Sequence, residues 1–267
     1  MANTIKLKTG TSTPGTSDIV SGEVAIDTSA KKLYINDSGT VKEIGGGGGG
    51  GVASDSYENT VGGSSAGSSL SGSNDAYNTF FGYHAGKDYS GSRSTAIGSQ
   101  ALKTNVDGVN NVAIGASCFP VATASQLCGM GANTGYSTTS GSRNTFLGAG
   151  VGYSNTTGRD NTFVGWQGGF NNTTGYDNCT LGKEAGKQIT TGYGNVLLGR
   201  WAGNTGTNDL TTGDNNILIG LDAQATSATV DNEVTIGNSS ITKFRIPGIN
   251  FVVKDTTATE DYVLTVD

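Results

Sequence analysis

The sequence predicts an all-β protein: a small N-terminal β module, a glycine hinge, then a parallel β-solenoid of about 17 residues per turn. Three observations lead there. A short phrase ending in Gly returns every 16 to 21 residues between positions 59 and 237. Glycine supplies 44 of the 267 residues and proline only 3, so left-handed backbone corners are available at many points. Charged residues make up 14%, against about 25% in ordinary globular domains. The apolar content suits a thin coil better than one thick core, which disfavours an ordinary globular enzyme of this length.

Residues 1–44 come first. Gly22-Glu-Val-Ala-Ile-Asp-Thr-Ser-Ala-Lys-Lys-Leu-Tyr-Ile-Asn-Asp37 and Gly39-Thr-Val-Lys-Glu-Ile44 alternate apolar and polar residues between turn formers, the pattern of short strands. Gly45 to Gly51, seven glycines in a row, have no side chains to pack and read as a flexible joint; 45–58 is assigned to this hinge. Residues 238–267 are apolar and β-prone and are expected to cap the coil and start a stem.

Residues 59–237 carry the repeat. Asn78-Thr-Phe-Phe-Gly82, Ser94-Thr-Ala-Ile-Gly98, Asn111-Val-Ala-Ile-Gly115 and Leu127-Cys-Gly-Met-Gly131 precede Asn144-Thr-Phe-Leu-Gly148, Asn161-Thr-Phe-Val-Gly165, Asn178-Cys-Thr-Leu-Gly182, Asn195-Val-Leu-Leu-Gly199 and Asn216-Ile-Leu-Ile-Gly220. Weaker copies stand outside them, Asn59-Thr-Val-Gly-Gly63 and Glu233-Val-Thr-Ile-Gly237. Successive starts differ by 19, 16, 17, 16, 17, 17, 17, 17, 21 and 17 residues, eleven turns in all, a regularity that excludes disorder. A second Gly follows the first by four residues (as at Gly86 and Gly169) and a third often precedes the next Asn by three (as at Gly141 and Gly158). Both are read as positive-φ corners, separated by very short strands. Stacking at about 4.8 Å per turn gives a rod of about 48 Å.

The residue before the first Gly is apolar throughout (Phe81, Ile97, Ile114, Met130, Leu147, Val164, Leu181, Leu198, Ile219, Ile236) and is assigned to the interior, with the column two residues earlier. Strand side chains alternate, so the column between them is expected to face outward: Phe80, Phe146, Phe163, Leu197 and Leu218, beside Ala96 and Ala113. Exposed Phe and Leu in a line need a covering surface, and these five residues are assigned to a seam between laterally associated chains. The Asn column is expected to form an amide ladder.

The formal charge of −6, with no basic run longer than Lys31-Lys32, disfavours a nucleic-acid partner. No apolar stretch approaches the ~18 residues of a membrane helix, and the first residues lack the apolar core of a secretory signal; no membrane insertion and synthesis in a cytoplasm are expected. His84 is the only histidine, so a multi-His metal cluster is excluded, and neither cofactor nor enzymatic activity is expected. Asp160 and Asp177 share a column at about 5 Å, the separation of a retaining glycosidase pair, but Arg143 precedes them in that column and they read as a charge-balanced ladder. A cation held between them is the alternative. Cys128 and Cys179, in the column assigned inward and about 14 Å apart, are too far apart for a disulfide and read as buried free thiols; Cys118 lies in an irregular turn.

Aromatic residues form the candidate binding surface. Tyr136, Tyr153 and Phe170 are spaced by 17, as are Tyr176 and Tyr193, and Trp166 and Trp201 sit near corners. Exposed rings offer sugars an apolar face, so glycan contact is assigned to these seven; covering the seam or shielding glycine corners is the competing role. Repeating Thr pairs leave an ice-binding protein as a minor alternative.

Asn110-Asn-Val-Ala-Ile-Gly115, Ser94-Thr-Ala-Ile-Gly98 and Glu233-Val-Thr-Ile-Gly237 resemble the repeat of the YadA-type head of trimeric autotransporter adhesins. The resemblance covers 59–237 and implies a left-handed parallel β-roll with three chains side by side, hence a homotrimer. Here the turn is longer than that family's, and Phe stands where the family often has Ala. The phrase from Gly22 to Asp37 is similar to small modules near the N-termini of bacteriophage tail fibres, which implies attachment of 1–44 to a tail or capsid protein of a virion. The expected function is a structural and adhesive virion fibre that holds or forms a surface for a host glycan or protein. A cell-surface trimeric adhesin is the alternative, and a tailspike depolymerase a lesser one.

Overall fold

The computed structural model describes residues 8–15, 19, 23–28, 32–37, 40–44 and 52–243. Among them there is no helix, and sixteen short strands form two sheets. The first sheet is β1 (Lys8–Gly10), β2 (Val24–Asp27), β3 (Lys32–Asp37) and β4 (Thr40–Ile44), in chain order. β1 pairs parallel to β2; β2–β3 and β3–β4 are antiparallel. Ile19, Ala25 and Tyr34 make its buried cluster, and the Asn36 side-chain amide donates to the Ile19 carbonyl at 2.6 Å.

The second sheet has twelve strands. β5 (Val52–Ser54) pairs antiparallel with β6 (Thr60–Gly62). Then follow β7 (Thr79–Phe81), β8 (Thr95–Ile97), β9 (Val112–Ile114), β10 (Cys128–Met130), β11 (Thr145–Leu147), β12 (Thr162–Val164), β13 (Cys179–Leu181), β14 (Val196–Leu198), β15 (Ile217–Ile219) and β16 (Val234–Ile236). From β6 onward every pairing is parallel and in register, so Phe146 lies on Phe163 and Leu197 on Leu218. This is the predicted parallel β-solenoid. The hinge assigned to 45–58 is shorter at its C-terminal side. Asp55 accepts the backbone N–H groups of Tyr57 and Asn59 at 2.9 and 3.0 Å, closing a hairpin that lays β5 over the first rung. Gly45 to Gly51 lie outside the described residues, as does 244–267 of the assigned cap; Asn238 to Lys243 form a turn without a strand.

Each coil holds one three-residue strand, where several were expected. Two recurring positions per turn, mostly non-glycine, take the left-handed conformation, such as Asp160 (φ 57°) before Asn161 and Gln167 (φ 55°) after Gly165. They break the rest of the coil into corners. Inter-turn hydrogen bonds continue through those corners, for example Gly152 N–H to the Gly168 carbonyl at 3.0 Å and Ser154 N–H to the Phe170 carbonyl at 2.9 Å.

The facing of the strand is opposite to the sequence expectation. Phe80, Phe146, Phe163, Leu197 and Leu218 are fully buried inside the coil, with Ala96 and Ala113. The flanking columns point out. Met130 is 54% exposed, Leu181 53% and Val234 63%. The five residues assigned to a seam are therefore the interior of the single chain and cannot form one. Cys128 and Cys179 also move: Cys128 is exposed and Cys179 half-buried, while Cys118 is the buried thiol, and all three are free.

The interior column shows how these turns pack. Phe146 stacks on Phe163 at 5.1 Å between ring centroids, and a Cβ at Gly152 or Gly169 would strike these rings. Two rungs invert the arrangement. Beside Ala96 and Ala113 the corner glycine is replaced by Leu102 (φ 45°) and Phe119 (φ 48°), both fully buried. Phe119 also fills the space over Gly129 and Gly135, where a Cβ would meet its ring. Large and small exchange between strand and corner while the coil stays filled, as close packing requires. In the third glycine column Gly91 takes the predicted positive φ (138°), but most of the column serves a different purpose. Gly141 and Gly158 do not take positive φ; a side chain there would meet the carbonyl oxygen of the next turn.

The Asn column faces inward and forms the expected ladder. Asn144, Asn161, Asn178 and Asn195 each accept, through the side-chain oxygen, the backbone N–H of the next Asn in the column at 2.9–3.0 Å. The amide N–H of Asn144, Asn161 and Asn178 donates to Gly158, Gly175 and Gly192 at 2.7–2.8 Å. The buried corner backbone is thereby satisfied.

Candidate functional site

Turning the strand over gives the solenoid sheet an apolar outer surface. Its two columns are Thr79, Thr95, Val112, Cys128, Thr145, Thr162, Cys179, Val196, Ile217, Val234, and the aliphatic run from Phe81 to Ile236. Ile97, Val112, Met130, Leu181, Ile217, Val234 and Ile236 are each more than a third exposed. No charged side chain occurs in either column of β7–β16. Exposed apolar strips of this kind commonly mark interaction sites. It was legible as an apolar column, but read as interior.

The aromatic columns form as spaced. Tyr136, Tyr153 and Phe170 stack with centroids 5.0 and 4.9 Å apart and rings within 6° of parallel; Tyr176 and Tyr193 stack at 4.7 Å. In such stacks the ring faces cover one another and the edges point out, so faces are open only at the ends. Arg159 covers the outer face of Tyr176 at 4.7 Å. The two tryptophans differ. Trp166 is 46% exposed, and in its column the next turns carry Lys183 and Arg200. The Lys183 ammonium lies 5.0 Å from the Trp166 ring and 5.8 Å from Trp201, while Arg200 lies 3.7 Å over Trp201. Sequence reading found the tryptophans and missed the two cations, although their spacing of 17 from Trp166 is visible in the chain.

Arg143 binds Asp160 through two nitrogens, one at 2.8 Å, with Arg159 at 3.6 Å. Those hydrogen bonds hold Asp160 below, and Arg143 above, their ordinary values. This is the charge ladder predicted for the column. Burial pushes Glu184 up, but its hydrogen bonds to Lys187 (2.9 Å) and Trp201 outweigh it and hold the carboxyl low. Burial pushes the Cys118 thiol up to about 12. Among the described residues no group of three or more metal-ligating side chains converges. The Thr pairs do not form a two-column hydroxyl face: Thr139, Thr156, Thr173 and Thr190 each donate to a carbonyl of the next turn at 3.0–3.3 Å, leaving one exposed column.

No known protein family matches this chain, and neither a curated protein nor a solved structure shows significant similarity to it.

Proposed function

We propose that the chain is a structural and adhesive fibre protein of a bacteriophage virion that works as a homotrimer. The observation that carries this reading is the uncharged apolar strip along β7–β16. Covering half-exposed side chains at about 1 kcal/mol each contributes on the order of 10 kcal/mol per chain before entropy costs. A surface repeating every ~4.8 Å is matched rung for rung by a copy of itself. The number three follows the resemblance of the Asn-Val-Ala-Ile-Gly phrase to trimeric adhesin heads. Attachment to a tail or capsid protein is given to residues 1–44, on the resemblance of Gly22 to Asp37 to tail-fibre modules.

The same phrase favours a second reading, a trimeric adhesin of a cell surface. An antibody against residues 59–237, applied to particles and cells of a producing culture in electron microscopy, separates the two. Gold on virion tails is expected. Gold on the cell envelope and none on particles overturns the fibre reading in favour of the adhesin.

A further inference from the structure

We infer that the corner built from Trp166, Lys183, Arg200 and Trp201 binds acidic glycans, taking a sugar ring on indole and a carboxylate on the two cations. The inference rests on the adhesive reading above and names the ligand class. Charge singles out this region. The chain carries −6, yet residues 143–200 hold five cations and three anions. Asp160 is held by Arg143 and Arg159 and Glu184 by Lys187 and Lys183, while Asp177, one turn beyond Asp160, has no ion pair among the described residues.

Arg200 has no ion-pair partner among the described residues. It is exposed and its guanidinium carbon lies 3.7 Å over the Trp201 ring. Stacking on indole holds a guanidinium in place while leaving its N–H edge free for a planar carboxylate. Lys183 stands one turn away, between the two indoles. Trp166 carries Lys183 on one side. On its other side the column steps down to Ala149, Ala132 and Ala116, all exposed, and the pairing of Gln167 N–H with the Ala149 carbonyl at 3.0 Å fixes that register. These small residues leave a ledge beside the indole where a ring can lie. Trp166 and Arg200 are two turns, about 10 Å, apart, a span for two or three sugar units. A neutral sugar would use the indole alone; an acidic one uses both features.

The chain has only two tryptophans, so its indole fluorescence reports on this corner and nowhere else. Oligogalacturonate, hyaluronan and polysialic acid are titrated into the assembled protein, each beside its methyl-esterified form. A saturable fluorescence change is expected with at least one acid, weakened tenfold or more by esterification and by the pair Lys183→Ala, Arg200→Ala. Equal response to acid and ester, an unaffected double variant, or no saturable change with any of the three overturns the inference. So does an indole signal that acrylamide cannot quench in the assembled protein, since the corner is then covered. Sedimentation of the same samples reads the fibre proposal separately: a monomer there defeats trimeric assembly whatever the titration gives.

Discussion

Asn161 shows what one buried side chain does in this fold. Its oxygen accepts the Asn178 N–H at 3.0 Å, its amide donates to the Gly175 carbonyl at 2.8 Å, and its own backbone N–H donates to Asn144 at 3.0 Å. Asn161→Ala strips the buried Asn178 N–H of its partner, while the Gly175 carbonyl keeps the Asn172 amide at 3.1 Å, so a loss of about 1–3 kcal/mol is expected. Thr180 is the opposite case. It occupies the interior column between Phe163 and Leu197, and its hydroxyl has no partner. Thr180→Val keeps the shape and removes the unpaired group, so a gain of about 1 kcal/mol is expected. Thermal unfolding followed by circular dichroism checks both; a stabilised Asn161→Ala or a strongly destabilised Thr180→Val would contradict the ladder described above.

At the scale of the coil, the interior is filled by strand and corner together. Ala113→Phe places a second ring beside Phe119 and is expected to cost about 1–3 kcal/mol by overpacking. Adding Phe119→Gly relieves that crowding, so the double variant should recover part of the loss, short of full recovery because Phe119 also fills the space over Gly129 and Gly135. Additive damage in a double-mutant cycle would show that the two sites do not share one space. The turn length, the positive-φ corner at the second Gly, the Asn ladder and the rung count were legible in the chain, because a 17-residue period fixes which residues stack. The direction of the strand was not. A period of two separates the faces without saying which is inside, and here both are apolar. The signal that decides it is size: the middle column runs from Gly129 to Phe163 and its corner partner varies against it through Leu102 and Phe119. Only a closed interior demands that exchange. The uniform outer column needs none. At the tryptophan corner, the rings were legible as columns, whereas the stacking of Lys183 and Arg200 on indoles depends on side-chain rotamers that spacing does not specify.

At the scale of the whole molecule, the inversion moves the proposed association surface to the opposite face of the strand. Eleven parallel rungs stacked at about 4.8 Å make a rod of about 48 Å with one apolar side along its length, while β5 closes its first edge. Met130 and Leu181 lie on that side, 54% and 53% exposed in the single chain, so charging them leaves the coil interior untouched. Analytical ultracentrifugation of the unaltered chain and of the pair Met130→Glu, Leu181→Glu, with circular dichroism on the same samples, is the most direct test. The account predicts a species of three times the 27.0 kDa chain mass for the unaltered protein and a folded monomer with an unchanged β spectrum for the variant. An unaltered chain that sediments as a monomer, or a variant that remains a trimer, would contradict it.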